Sequence, residues 1–426
     1  MGSTEAMTMK PILIIGAGLS GATLAQGLKR RNIPFRIYER DKALIARLQG
    51  YRLRLNLAGL QALQFVIPAE VYEEILRTGA EFVPGFIALD ALSGATFPAP
   101  PPKQSSATPS VPSNIDIDDL LTRQAMTSRL PVDRGVMRNI LLSGLAGLVE
   151  FGKSFVKYEH TPTGIVAQFV DGSSSIEGSL LVGADGFGSK VTKQLMGDLA
   201  KPLDMGSRMF YGKSPLTPEL EKAMNSELRQ GVRIAIDTSR SGLPTPTVLS
   251  LFVETCRFTP PAQVSDYAFW VLTDSAGFKS VAACDEDLLA LEGEVAAMVT
   301  ERAVSHFHDS VKAVILHQDR SLTSVWGMSC APPNGLPSWK TDHRVTLLGD
   351  AIHPMPPTGG LAGNTGLQSV ANFIRILAHS QSGNGWTEEE IGEFEAEMRL
   401  EANKMIVMAY AAATNKFPFS LWRPLD

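Results

Sequence analysis

Four apolar residues, Ile12-Leu13-Ile14-Ile15, run straight into Gly16-Ala17-Gly18-Leu19-Ser20-Gly21, and a second apolar run ends at Ile37-Tyr38-Glu39. Strand, tight turn, helix, strand and acidic residue in that order form a dinucleotide-binding βαβ unit. Gly16 permits the turn off the strand, Gly18 lets a pyrophosphate approach the backbone, and Gly21 lets the helix pack on the sheet. The helix that opens at Leu19 and Ser20 offers free N–H groups and a partial positive charge to the phosphates. Glu39 is placed to accept hydrogen bonds from a ribose. A carboxylate suits a free 2′-hydroxyl and repels a 2′-phosphate, so NADP is disfavoured at this first site. NAD and FAD both remain open, and Arg40 is a candidate for the adenine side.

Bulk composition narrows the setting. A chain of 426 residues, 44% hydrophobic and 19% charged, has the make-up of two packed domains or one domain with an inserted module. Its formal net charge of -5 argues against nucleic acid as the main partner, because phosphate binding wants a basic footprint. The sequence has no apolar run of membrane-span length and no signal-peptide pattern, so a cytoplasmic protein without a transmembrane segment is expected. Cys256, Cys284 and Cys330 lack C-x-x-C spacing and fit reduced thiols. The histidines include no H-E-x-x-H pair, and no metal is expected.

Further along, residues 50–56 read as an extended segment with Arg52 and Arg54 on one face and leucines on the other. Residues 57–65 and 69–77 have helical spacing, as do 136–148 behind a capping Asp133. The Pro- and Ser-rich stretch 97–114 reads as a surface loop. Strands are expected at 154–158, 164–170 and 175–182, the last ending in Gly183-Ala184-Asp185-Gly186. Residues 205–281 turn to short β-rich runs at 232–237, 248–254 and 267–273, a candidate substrate sheet. A helical stretch at 286–306 leads to a strand at 345–348, and helices at 387–415 close the chain.

The strand at 345–348 runs into Gly349-Asp350-Ala351-Ile352-His353-Pro354. Pro356-Pro357-Thr358-Gly359-Gly360 follows, and then Leu361-Ala362-Gly363-Asn364-Thr365-Gly366 opens a helix. An acidic side chain ends the strand, a Pro/Gly loop lets backbone approach a ligand, and a helix N-terminus faces it. The arrangement is a second cradle for a phosphate or a ring carbonyl.

The three motifs, G-x-G-x-x-G with Glu39, then GADG, then GDAIHP-x-PP-x-GG, together resemble the class A flavoprotein monooxygenases. These are the p-hydroxybenzoate hydroxylase-like, single-component aromatic hydroxylases and epoxidases, and the matching motifs run over residues 12–370. The resemblance implies an α/β fold: a Rossmann-like FAD-binding domain with an inserted β-sheet substrate domain and C-terminal helices. The corresponding boundaries are 8–204 with 282–386, then 205–281 with part of 80–120, and 387–426. It further implies that Gly16, Gly18, Leu19, Ser20, Gly21, Glu39 and Arg40 hold the ADP part of FAD. Arg134, in Val132-Asp133-Arg134, would contact the flavin cofactor. Asp185 and Gly186 would serve both FAD and NAD(P)H, and Gly349 and Asp350 the ribityl chain. Gly360, Ala362, Gly363 and Asn364 would lie at the helix start facing the flavin pyrimidine, where the dipole stabilises an anionic reduced ring. Arg52 and Arg54 lie on the segment that crosses near the isoalloxazine in relatives. Three departures stand out. Ala362 and Gly363 exchange the order common in relatives, Ser369 replaces an acidic residue, and Lys190 follows Ser189 where an arginine is usual. Lysine keeps the charge there but not the bidentate geometry.

The same resemblance implies an FAD-dependent monooxygenase of secondary metabolism that uses NADPH or NADH as a transient co-substrate. It would insert one oxygen atom of O2, through a flavin hydroperoxide, into an apolar, aromatic or polyketide-like small molecule. Only one complete G-x-G-x-x-G unit is present, and none of the five tryptophans forms the W-x-W-x-I-P signature of flavin-dependent halogenases. Arg52, Tyr211, Arg233 and His353 are catalytic candidates by residue type alone, with His353 read as structural. Two alternatives compete: an NAD-dependent dehydrogenase using the first site alone, and an FAD-binding cyclase-type enzyme that does not oxygenate. The oligomer is expected to be a monomer or homodimer.

Overall fold

The computed structural model describes residues 9–43, 52–97, 128–240, 248–260, 262–275, 278, 288–379, 386–416 and 423–424. The run Ile12–Ile15 is the middle strand of a five-stranded parallel sheet. Its order is Val345–Leu347, Leu180–Gly183, Ile12–Ile15, Phe35–Glu39 and Val149–Phe151. Every residue of Ile12–Ile15 is buried. A parallel strand covered on both faces has no use for polar alternation. One cover is the helix Leu19–Arg30, which buries Ala22, Leu24, Ala25 and Leu28. At Gly27 this helix meets Leu57–Val66 and Leu361–His379 so closely that a methyl group would lie 2.7 Å from Val66 and 2.9 Å from Ile374.

The second sheet is ordered Ser324–Cys330, Leu203–Pro215, Tyr267–Asp274, Leu249–Cys256, Gly231–Ile236 and Phe86–Asp90. Neighbours are antiparallel except the last pair, which is parallel. The sheet thus draws Phe86–Asp90 from before the β-rich stretch and Ser324–Cys330 from after it, and the short strand Arg423–Pro424 also pairs with Leu203–Pro215. On its outer face the helices Gly293–Ala303 and Asp309–Leu316 bury a core that includes Phe210, Leu251, Val253, Trp270 and Leu272. On its inner face the register aligns Tyr211, Val271, Phe252, Ile234 and Ala88 in one row across five strands. All five are only half buried, whereas Met209, Thr273 and Ser250 on one side and Phe269, Glu254 and Val232 on the other are buried.

Between the sheets lies a two-stranded ribbon, Arg52–Asn56 paired antiparallel with Ser128–Asp133. The second of these strands was not expected from the sequence, because Pro131 lacks an N–H and lowers the strand signal; proline fits an edge position. Other boundaries also move. The helix expected at 136–148 is Arg134–Leu142, which starts two residues earlier, directly after its Asp133 cap. The strand expected at 175–182 is regular only at Leu180–Gly183, because Ser174 and Gly178 make isolated bridges to the hairpin strand Ile165–Phe169 instead. Of the helix expected at 286–306, Gly293–Ala303 forms, with 286–287 outside the described residues. Residues 98–114 of the expected loop, Gly50, Tyr51 and Cys284 also lie outside them. The long helix Glu388–Lys416 packs on Leu361–His379 through Phe373 and Phe394, whose ring centres are 5.0 Å apart. Among the described residues no helix is long and apolar enough to cross a membrane.

Candidate cofactor and substrate site

The glycines of the first loop have separate tasks. Gly16 has φ +106°, and a Cβ there would lie 2.4 Å from the Ala184 carbonyl oxygen. A Cβ on Gly21 would lie 2.1 Å from the Gly16 carbonyl oxygen. Both positions are forced by packing. Gly18 is different: no atom lies within 4 Å of the place its Cβ would take. Ser20 packs under the third motif, since a Cβ on Gly349 (φ +62°) would come 2.4 Å from its Oγ. Motifs far apart in the chain therefore meet at the ends of adjacent parallel strands, where ligands of open α/β sheets bind. Glu39 is buried; its Oε2 accepts from the Ala17 N–H at 2.7 Å and its Oε1 from the Asp41 N–H at 2.9 Å. Arg40 is exposed.

The two aspartates differ in what they leave free. Asp185 accepts from Ser189 Oγ at 2.5 Å and from the Lys190 N–H at 2.9 Å, fastening the start of the helix Lys190–Met196. Burial raises its pKa against the lowering effect of those bonds. Lys190 contributes its backbone to this turn. Gly186 has open space where a side chain would be. Asp350, half buried at the tip of Gly349–Ala351, takes no hydrogen bond from any described residue. Behind it, His353 is fully buried, with Nε2 3.1 Å from Ser369 Oγ. The Ser369 hydroxyl donates to the Thr365 carbonyl at 3.0 Å, so it accepts from His353 Nε2–H. Burial lowers the His353 pKa, opposed by the nearby Asp350 charge. The neutral Ser369 is thus matched to a buried, neutral imidazole.

Asn364 spends its side chain on the ribbon. Its Oδ1 accepts from the Asn56 N–H at 3.0 Å, and its Nδ2 donates to the Arg54 carbonyl at 2.8 Å and the Gly360 carbonyl at 3.0 Å. Next to it, a Cβ on Gly363 would lie 2.8 Å from Leu53 Cδ1, which explains a glycine after Ala362. Gly360, by contrast, has no atom within 4 Å of its Cβ position, and Ala362 is half exposed. The ribbon arginines point toward the second sheet. Arg52 and Arg54 both pair with buried Glu254, the latter at 2.8 Å from Nε. Arg52 also lies over the rings of Phe252 and Phe269, 5.5 and 5.2 Å from their centres. Arg54 lies 5.4 Å from that of Phe82, and burial lowers its pKa. The side chains of Asn364 and Arg54, two residues expected at the cofactor site, are therefore engaged by protein. Arg134 is exposed at the start of its helix. Strand alternation separates the other two candidates. Tyr211 belongs to the inner, half-buried row, whereas Arg233 stands opposite Val253 in the outer core, buried away from the ribbon.

Residues 287–408 match the family model of the FAD binding domain. The chain is 31% identical over 98% of its length to the dual O-methyltransferase/FAD-dependent monooxygenase elcB of Phaeosphaeria nodorum, covering 47% of that protein. It is 27% identical over 91% of its length to the FAD-dependent monooxygenase phnB of Penicillium herquei, covering 86% of it. A crystal structure from Photorhabdus luminescens, described as an FAD-containing monooxygenase, superposes with a TM-score of 0.75 at 27% identity. That likeness covers 97% of this chain and 100% of the other. Residues 287–408 thus match the FAD binding domain family, and the chain is homologous to FAD-dependent monooxygenases. It spans about half the length of dual-function relatives such as elcB.

In this flavoprotein the local geometry fits FAD. A backbone open at Gly18, an aspartate at Asp350 that takes no hydrogen bond from a described residue and a half-exposed helix start at Ala362 follow one another along the strand ends. The FAD-binding match lies outside the first glycine loop, so an NAD-dependent dehydrogenase using that loop alone is set aside. Sequence reasoning missed three side chains that shape the site: Arg138, Glu254 and Lys213. Lys213 Nζ is 2.5 Å from Asp133 Oδ2, and Tyr267 Oη donates to the same oxygen at 3.1 Å. The Asp133 Oδ1 meanwhile caps the helix that begins at Arg134. Burial, reinforced by the charge on Asp133, pushes the Tyr267 pKa far up, so its hydroxyl stays protonated. Only the cap was legible beforehand; a lone lysine or glutamate in a β-run carries no signal of its partner.

Proposed function

We propose that this chain is an FAD-dependent monooxygenase. It consumes NADPH or NADH and places one oxygen atom of O2 in an apolar, aromatic or polyketide-like small molecule of secondary metabolism. The observation that carries the substrate class is the half-buried row Tyr211, Val271, Phe252, Ile234 and Ala88 on the inner face of the second sheet. An apolar strip left open between two packed domains suits an apolar ring system, with a few polar groups at its edge to orient it. Arg52 and Tyr211 are the polar groups at that edge.

The ADP part of FAD is assigned to the backbone of Gly16, Gly18, Leu19, Ser20 and Gly21 with Glu39 and Arg40, and the ribityl chain to Gly349 and Asp350. Gly186 and Arg134 border the flavin, and Gly360, Ala362 and Gly363 present backbone to its ring. Asn364 and Arg54 act indirectly, by holding the ribbon against that helix start. Redox chemistry belongs to bound FAD, which links nicotinamide oxidation to O2. The protein's part is to hold the substrate at a fixed distance from the helix start and to exclude water between the sheets.

The test is direct. The purified protein should be yellow and release FAD on denaturation. It should oxidise NADH or NADPH faster when an apolar phenol or polyketide is added, with one ¹⁸O atom from ¹⁸O2 in the product. Colourless protein without releasable FAD, or a yellow protein that transfers no oxygen across a broad substrate panel, overturns this reading.

A further inference from the structure

Arg138 lies on the helix Arg134–Leu142, more than a hundred residues from the first glycine loop, yet it reaches that loop. Its Nε donates to the Ala17 carbonyl at 2.8 Å, and its Nη2 lies 3.4 Å from Glu39 Oε2 and 3.6 Å from Asp41 Oδ2. The Ala17 N–H goes to the same Glu39 oxygen. Both backbone polar groups of Ala17 are therefore held by one ion pair. A planar trans peptide sets its C=O and N–H on opposite edges. With the Ala17 carbonyl fixed on Arg138, the Gly18 N–H is turned away from the guanidinium, out of the packed side of the loop. Gly18 is the loop glycine whose side-chain position is empty, so this is the peptide that has room for a phosphate.

Charge gives a second reason. The Glu39 and Asp41 side chains are 8% and 9% exposed, and the Arg138 guanidinium lies within ion-pair distance of both. Two neighbouring carboxylates with so little solvent repel each other unless a cation offsets them. The two backbone bonds to the Glu39 carboxylate leave lone pairs for ribose hydroxyls.

We propose that Arg138 is a positioning residue for the ADP end of FAD. It orients the Ala17–Gly18 peptide toward the pyrophosphate and holds Glu39 aimed at the ribose. The inference rests on the FAD assignment but not on oxygen transfer, so binding decides it. Apoprotein prepared from holoenzyme is titrated with FAD by flavin fluorescence for wild type, Arg138→Met and Arg138→Lys. Loss of charge-assisted hydrogen bonds should weaken FAD binding about ten- to hundredfold in R138M and less in R138K. The apoprotein melting temperature of R138K should stay at the wild-type value, and turnover should recover at saturating FAD. An R138K affinity within about twofold of wild type, or a loss of apoprotein stability with unchanged FAD affinity, overturns the proposal. R138K decides alone if R138M does not fold. Wild-type protein that fails to bind FAD would instead refute the cofactor assignment itself.

Discussion

Gly16 and Gly18 sit two residues apart and do different work. Gly16 combines a left-handed φ with a backbone oxygen where its Cβ would be, whereas Gly18 has an extended ψ, an ordinary φ of -71° and open space. Gly16→Ala should therefore destabilise the apoprotein by about 2–4 kcal/mol, read by urea unfolding. Gly18→Ala should leave that stability unchanged and weaken FAD binding, since the added methyl meets only ligand. Equal stability losses in the two variants would show that the loop is packing throughout. His353 makes a separate prediction. Its folded pKa is depressed by burial, so its contribution to stability is present above the ordinary histidine value and is lost as pH falls toward the folded one. Unfolding free energy should drop between about pH 7.5 and pH 5.5, and less steeply in His353→Gln. At this scale the sequence was informative about Gly16 and Glu39, whose roles follow from local geometry. It was uninformative about Arg138, whose partners come from another part of the chain.

Among the elements, the ribbon Arg52–Asn56 with Ser128–Asp133 links the parts of the site. Asn364 holds its backbone to the helix Leu361–His379, and Glu254 and Lys213 hold its side chains to the second sheet. Asn364→Ala would leave the Asn56 N–H and the Arg54 carbonyl without their partner. A cost of about 2–4 kcal/mol in unfolding free energy is expected. Activity at saturating FAD should fall as well, because the ribbon then loses its fixed distance from the helix start; full activity in N364A would mean that the ribbon does not position the site. The alternation of Arg52 and Arg54 against leucines was readable along the chain. Their direction toward Glu254 was not, because either face of a two-stranded ribbon can meet either sheet.

Across the whole molecule, the strand register of the second sheet decides which side chains a substrate can meet. Tyr211 and Arg233 were equal candidates by residue type, and one step of alternation placed the first beside the apolar row and the second in the outer core. Val271→Trp should fill that row between Tyr211 and Phe252. Its expected signature is a raised KM for substrate with the flavin spectrum and FAD affinity unchanged. A KM equal to wild type would remove the row from the substrate site.

What the sequence determined by itself is the set of features built from neighbouring residues. The buried strand Ile12–Ile15, the turn at Gly16, the acidic strand ends at Glu39 and Asp350 and the cap at Asp133 all follow from spacing, backbone freedom and local hydrogen bonding. Tertiary structure alone decided which face of each strand turns inward, which arginine meets which carboxylate, and that Asn364 serves the ribbon. Those choices depend on groups brought together by sheet register and helix crossing, and no local pattern carries the energy of a contact between distant segments.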